Sequence, residues 1–257
     1  MVKKKRLKKY LDKRWKGLKE ELKTLKKTPD DEALHELRLS AKKIKAMVAL
    51  LKETSKKGHK FSTKSVKPLF QQTGAIRTAR LNLKTLRENQ INNRTLQLFL
   101  NDIVNYEYND LCSKYKCYKK TINKLQNKFS SALTSIKDKQ VKNYYRKNIS
   151  RLSISFLWPV DMSSLHENRK IIKNLLYVNK ALPPSLQRSI LLDVKYLDKL
   201  QEKIGQWHDF DMARDLLNKH GLVHIAGYAS IFCQQMKLLE SIKMDVDFFA
   251  DKVALDK

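Results

Sequence analysis

Two short segments carry the same reactive side chains at the same spacing. Leu34-His35-Glu36-Leu37-Arg38 is followed by Lys42, Lys43 and Lys45. Leu165-His166-Glu167-Asn168-Arg169 is followed by Lys170 and Lys173. The copies lie 131 residues apart, and at that offset Gly74 falls on Gly205 and Asp30 on Asp161. A duplicated unit with a His-x-x-Arg-x-x-x-Lys helix in each copy follows. These residue types suit phosphate for different reasons. Arginine offers a planar fork that meets two oxygens at once. Lysine is a mobile point charge. Histidine titrates near neutrality, and a neighbouring anion favours its doubly protonated form.

Helical geometry decides where these groups point. At ~100° per residue, His35, Arg38, Lys42 and Lys45 fall within one stripe of about 80°. Leu34, Leu37, Ala41, Ile44, Val48 and Leu51 form the adjoining apolar stripe. Solvated charges sit opposite a core, whereas a cationic stripe beside it lines a groove between helices. His166, Arg169 and Lys173 repeat the layout against Leu165, Ile172 and Leu175, with Lys170 just outside the stripe and Leu176 where Lys45 stands in the first copy. Glu36 and Glu167 point away from the stripe.

The rest of the chain must position these helices. It has 257 residues, 42% hydrophobic content, and few Gly (6) or Pro (5), which favours helix over a sandwich or barrel. Periodicity predicts helices over about 5–27, 30–53, 63–88, 92–126, 136–157, 162–182, 185–203, 207–219 and 222–251. Expected breaks are Thr28-Pro29, Lys56-Lys57-Gly58, Gly74, Trp158-Pro159, Pro183-Pro184, Gly205 and His220-Gly221. Thr28 caps the second helix, with Pro29 in its first turn and Asp30 and Asp31 suiting its positive end, and Asp161 or Ser163 caps the second motif's helix. No convincing strand pattern appears; Ile149–Trp158 comes nearest.

The formal net charge is +28, from 54 Lys+Arg against 26 Asp+Glu. An excess this large predicts a polyanionic partner: nucleic acid, polyphosphate or an acidic membrane surface. Thirteen of the first 27 residues are Lys or Arg, so the first helix adds a broad cationic face. Cys112, Cys117 and Cys233 have no framework spacing, which predicts reduced thiols and a cytoplasmic location. No apolar run approaches the ~20 residues of a membrane span. Neither a Gly-rich phosphate loop nor a Gly-x-Ser-x-Gly elbow occurs. His208, Asp209 and Asp211 lie near His220 and His224, but Gly221 interrupts the helical spacing. A turn-ordering role for His208-Asp209 is expected instead of a metal site. Tyr106, Tyr108, Tyr115 and Tyr118 could stack bases or pack helices.

The paired segments resemble the signatures of the CHAD family, the conserved histidine α-helical domain. In the first half, His35, Arg38, Lys42, Lys43 and Lys45 carry the resemblance. In the second, His166, Arg169, Lys170, Lys173 and Tyr177 do, with Leu176 in place of a basic residue. Ile204-Gly205-Gln206-Trp207-His208-Asp209 resembles the family's glycine segment; Thr73-Gly74-Ala75-Ile76-Arg77-Thr78 resembles it with Thr78 for Asp. The resemblance implies an all-α protein: two pseudo-symmetric helical bundles, about 1–130 and 131–257, forming one domain over 1–257 with a central basic groove. It implies non-catalytic binding of inorganic polyphosphate, without cofactor or metal, in the cytoplasm at polyphosphate granules. Arg77, Arg80 and Arg146 are expected to widen the field around the motif residues. Two alternatives remain open: an RNA-binding protein, and an enzyme acting on polyphosphate or a nucleotide.

Overall fold

A computed structural model describes residues 1–55, 61–157 and 162–253. The helices are α1 (Lys4–Lys27), α2 (Asp31–Thr54), α3 (Lys67–Glu88, entered through a 3-10 turn at Lys64–Val66), α4 (Arg94–Ser113), α5 (Tyr115–Ala132) and α6 (Asp138–Ser155). They continue as α7 (Met162–Asn179), α8 (Pro184–Ile190), α9 (Val194–Lys219), α10 (Ala226–Val246) and the short α11 (Phe249–Lys252). Among the described residues there is no strand, only an isolated bridge between Val2 and Ile136. No described helix is long and apolar enough to cross a membrane.

Local chemistry explains most boundaries. The Asp30 carboxylate accepts from the Ala33 N–H at 2.6 Å and caps α2. Thr28 closes α1 instead of opening α2. Asn93 and Asp193 cap α4 and α9 in the same way. Gly221, at φ +69°, follows the end of α9, where a glycine tolerates the left-handed turn. Lys114 separates α4 from α5, so the expected helix over 92–126 is two. The expected breaks at Lys56-Lys57-Gly58 and Trp158-Pro159, and the Asp161 cap, lie outside the described residues.

Gly74 and Gly205 break nothing. Gly74 is internal to α3, and α9 runs unbroken from Val194 through Gly205 to Lys219. His208 and Asp209 therefore lie on a continuous helix, not at a turn. The single helix expected over 185–203 is instead α8, a left-handed Leu191, and the start of α9.

The helices pack largely in sequential pairs. α1 packs on α2 and α6 on α7; α3 packs on α4 and α9 on α10. The two sets then join, α2 against α7 and α3 against α9. Apolar stripes such as Leu7, Leu11, Trp15, Leu18, Leu22 and Leu25 of α1 are fully buried. The larger core cluster runs from Val2 to Val253. A smaller one joins Ala79, Leu86 and Leu100 to Ala213, Leu217 and Ile231. Both draw on both halves, so neither half encloses a core alone. Polar ties cross between halves as well: Arg6 donates to the Ala181 and Leu182 carbonyls at 2.9 and 2.7 Å.

Candidate polyanion-binding site

The two motif helices meet, and the meeting places equivalent cations together. Lys42 of α2 and Lys173 of α7 repel one another, and Lys45 is repelled by Lys170 in the same way. Arg38, Arg77 and Arg169 press on Lys42 too. Burial is the largest influence on Lys42, and these charges add to it. Together they lower its ammonium pKa to about 7. Lys173 is lowered to about 8 by burial and then by Arg169, although Asp198 pulls the other way. Arg38 is lowered to about 10, by burial and then by Arg77. Asp198 and Glu202 beside Lys173, and Asp209 beside Arg77 and Arg169, offset part of this charge, but burial and mutual repulsion still disfavour the protonated lysines.

Each motif arginine is anchored on the backbone of a later helix, Arg38 on α3 and Arg169 on α9. Arg38 Nη1 donates to the Phe70 carbonyl at 3.1 Å and to Thr73 Oγ1 at 3.2 Å. Arg169 Nε donates to the Gln201 carbonyl at 3.0 Å. Phe70 and Gln201 are themselves related by the 131-residue offset. The motif glycines make this approach possible. A Cβ on Gly74 would lie 3.2 Å from Arg38 Nη1, and one on Gly205 would lie 2.6 Å from Arg169 Cζ. The glycines are landing surfaces for guanidinium groups, which is why they stand inside helices at an intrinsic cost of about 1 kcal/mol relative to alanine. Part of each arginine fork is thereby engaged within the protein. Arg38 Nε is buried without a protein partner.

The other expected site residues divide. Arg77 is central, and its guanidinium lies 3.9 Å from the Asp209 carboxylate, linking α3 to α9. Lys45 holds its ammonium 3.6 Å from the centre of the Phe70 ring. Lys170 is exposed and pairs with Glu167 at 2.6 Å. Lys43 faces elsewhere: its neighbours are Arg14 and Lys13 of α1 and Lys180, a second basic surface that the motif spacing did not reveal. Arg80 pairs with Asp31. Arg146 is exposed on α6.

The histidines differ from one another. His35 is exposed. His166 is half-buried with its ring 4.2 Å from that of His208. Burial, then His208 and the nearby cations, lowers His166 to about 4. In the free protein it is therefore neutral at physiological pH. Among the described residues, no group of three or more His, Cys, Asp or Glu side chains is placed to hold a metal ion. The tyrosines do not form a stacking platform. Tyr118 is buried and donates to Gln72 at 2.9 Å, and Tyr108 donates to the Leu25 carbonyl. Only Tyr106 of the four is exposed.

Comparison with known proteins bears on this arrangement. The CHAD domain family model matches residues 103–218, which contain the second motif and Gly205. The crystal structure of the CHAD domain from the plant Ricinus communis superposes with a TM-score of 0.67 at 14% identity, covering 98% of this chain and 91% of that one. The chain has the CHAD fold. No curated protein matches its sequence. Within this CHAD fold, the first motif lies outside the matched segment, yet it repeats the second motif's arginine–carbonyl and arginine–glycine contacts at the same offset.

Proposed function

We propose that the protein binds inorganic polyphosphate and does not hydrolyse it. The observation that carries the reading is the convergence of Lys42 and Lys173 with Arg38, Arg77 and Arg169 where α2 meets α7. Five cations gathered against three carboxylates, Asp198, Glu202 and Asp209, keep a positive excess that suits a thin chain of successive phosphates better than a single anion. Burial strengthens each contact by excluding water. The wider +28 surface, including the basic face of α1, steers a polyanion toward this point. The preference for a base-free chain and association with polyphosphate granules rest on the CHAD resemblance, and a cytoplasmic location on the lack of framework spacing among Cys112, Cys117 and Cys233. Tyr108 and Tyr118 are engaged in packing, which removes the tyrosine cluster as a stacking platform for RNA.

A competition titration at near-physiological salt tests the reading. Labelled polyphosphate is challenged with unlabelled polyphosphate and with single-stranded RNA at matched phosphate concentration. Polyphosphate is expected to compete strongly and RNA weakly. Equal or stronger competition by RNA would overturn the choice of ligand. Release of inorganic phosphate from the bound chain, with magnesium or manganese present, would overturn the non-catalytic assignment.

A further inference from the structure

The motif histidine of the second copy opens onto a cavity that the cationic cluster does not use. The cavity is about 550 Å³ and lies between α7, α9 and α10. That volume is within the range of about 300–1,000 Å³ usual for small-molecule sites. Its walls are of two kinds. Trp207, Phe232, Met236 and Leu239 are apolar, and the rings of His166 and His208, 4.2 Å apart and tilted by 43°, add a second, uneven face. Both histidines have lowered pKa values, chiefly through burial, so this face is uncharged near neutrality.

Opposite it stands a fixed polar chain. Gln235 donates to Asp211 at 2.9 Å and accepts from Arg214 Nη1 at 2.6 Å. Arg214 is held between the Tyr228 and Phe232 rings, 5.6 and 4.7 Å from their centres. Two polar atoms on the lining residues, His166 Nδ1 and Arg214 Nε, are buried without a protein partner. The polar groups that a ligand would meet at this wall are those of the Asp211–Gln235–Arg214 chain. The Asp211 carboxylate makes the interior unsuited to phosphate but suited to a ring N–H or an amine. Beyond His166, Lys170 and Arg169 are close enough to act electrostatically on both histidines.

We propose that this cavity binds the base of a purine nucleoside triphosphate, with its phosphates directed to Lys170 and Arg169. The base lies against the histidine and tryptophan rings, and the Asp211–Gln235–Arg214 chain reads its polar edge. The phosphate half of this proposal rests on the reading of the motif cations as a phosphate site. The base half does not. A protein occupied here would report nucleotide level through the same cations that hold polyphosphate, and the two ligands would compete.

Calorimetric titration of the full chain at about 0.15 M salt tests it, using ATP, GTP, adenosine and tripolyphosphate as probes. At least one triphosphate is expected to bind about tenfold more tightly than tripolyphosphate and to perturb the fluorescence of Trp207, which tripolyphosphate does not. Phe232→Ala, at a partly exposed position, should lower that nucleotide's affinity to the tripolyphosphate level and leave tripolyphosphate binding unchanged. Lys170→Gln should weaken both. Equal affinity for nucleotide and tripolyphosphate would overturn the cavity proposal and leave the cationic site standing. So would failure of both short probes while long polyphosphate binds. Failure of every probe, long polyphosphate included, would overturn both readings.

Discussion

Raising the pH from 7 to 9 should release polyphosphate, and the size of the effect follows from two lysines. Lys42 titrates at about 7 and Lys173 at about 8 in the free protein, against an ordinary 10.5. Phosphate oxygens beside an ammonium restore its preference for the proton, so binding takes protons up. Below pH 7 both groups are charged before binding and affinity is nearly flat. Above it, affinity falls by up to tenfold per pH unit for each group that must first be protonated. Full restoration to 10.5 gives Lys42 alone a loss of about 50-fold between pH 7 and 9. Lys173 contributes up to about 10-fold more, less whatever solvent screening removes. The expected loss therefore lies between about 50-fold and about 500-fold, or about 2–4 kcal/mol. The assay is calorimetric titration at constant ionic strength in buffers of different ionisation enthalpy, which should report about 1.4 protons taken up at pH 8. The double variant Lys42→Arg, Lys173→Arg keeps its charge at pH 9 and should lose most of the pH dependence, whatever its absolute affinity. Affinity constant within about threefold from pH 7 to 9, or an unchanged slope in the double variant, would refute the reasoning.

Four further outcomes are expected. Gly205→Ala should weaken polyphosphate binding more than Gly74→Ala, because its Cβ would lie 2.6 Å from Arg169 Cζ, whereas Gly74 has 3.2 Å to Arg38 Nη1; paired melting and binding curves would check the order, and equal effects would mean the arginines need no backbone contact. Lys42→Met removes a buried charge and should raise the melting temperature of the free protein at pH 7 by at least about 3 °C while weakening binding; the wild-type protein should itself gain stability from pH 7 toward 10.5, since its unfolded chain binds the extra proton there. His166 contributes stability that is complete above 6.5 and lost as pH falls through about 4, so His166→Phe should flatten the acid limb of a melting-temperature profile. Polyphosphate affinity should fall linearly on a log–log plot against salt, with a slope near about −3.5 for five neutralised phosphates, and a flat response would rule out the cationic cluster as the binding surface.

Helix content, the helices of the first half up to α3, and the repeated motif were legible in the chain itself because they are local properties, whereas the α4–α5 break and the unbroken α9 were not. Apolar periodicity marked α1, α2 and α7, while the Asp30, Asn93 and Asp193 caps became evident only in the structure. The 131-residue offset already tied Arg38 to Arg169 and Gly74 to Gly205. Composition determined the sign and scale of the surface field. Three things depended on tertiary structure. Gly74 and Gly205 read as helix breaks, since a glycine's propensity is visible along the chain but the guanidinium lying on it comes from another helix. Lys42 and Lys43 are sequence neighbours with the same chemistry, yet one helical step of about 100° sends Lys42 to α7 and Lys43 toward α1. The pairing of Lys42 with Lys173, of Arg77 with Asp209, and of His166 with His208 required α2 against α7 and α3 against α9. Spacing along a helix fixes which side chains share a face. Only the packing of distant helices fixes what that face meets, and from that follow the buried charges, their lowered pKa values and the site itself.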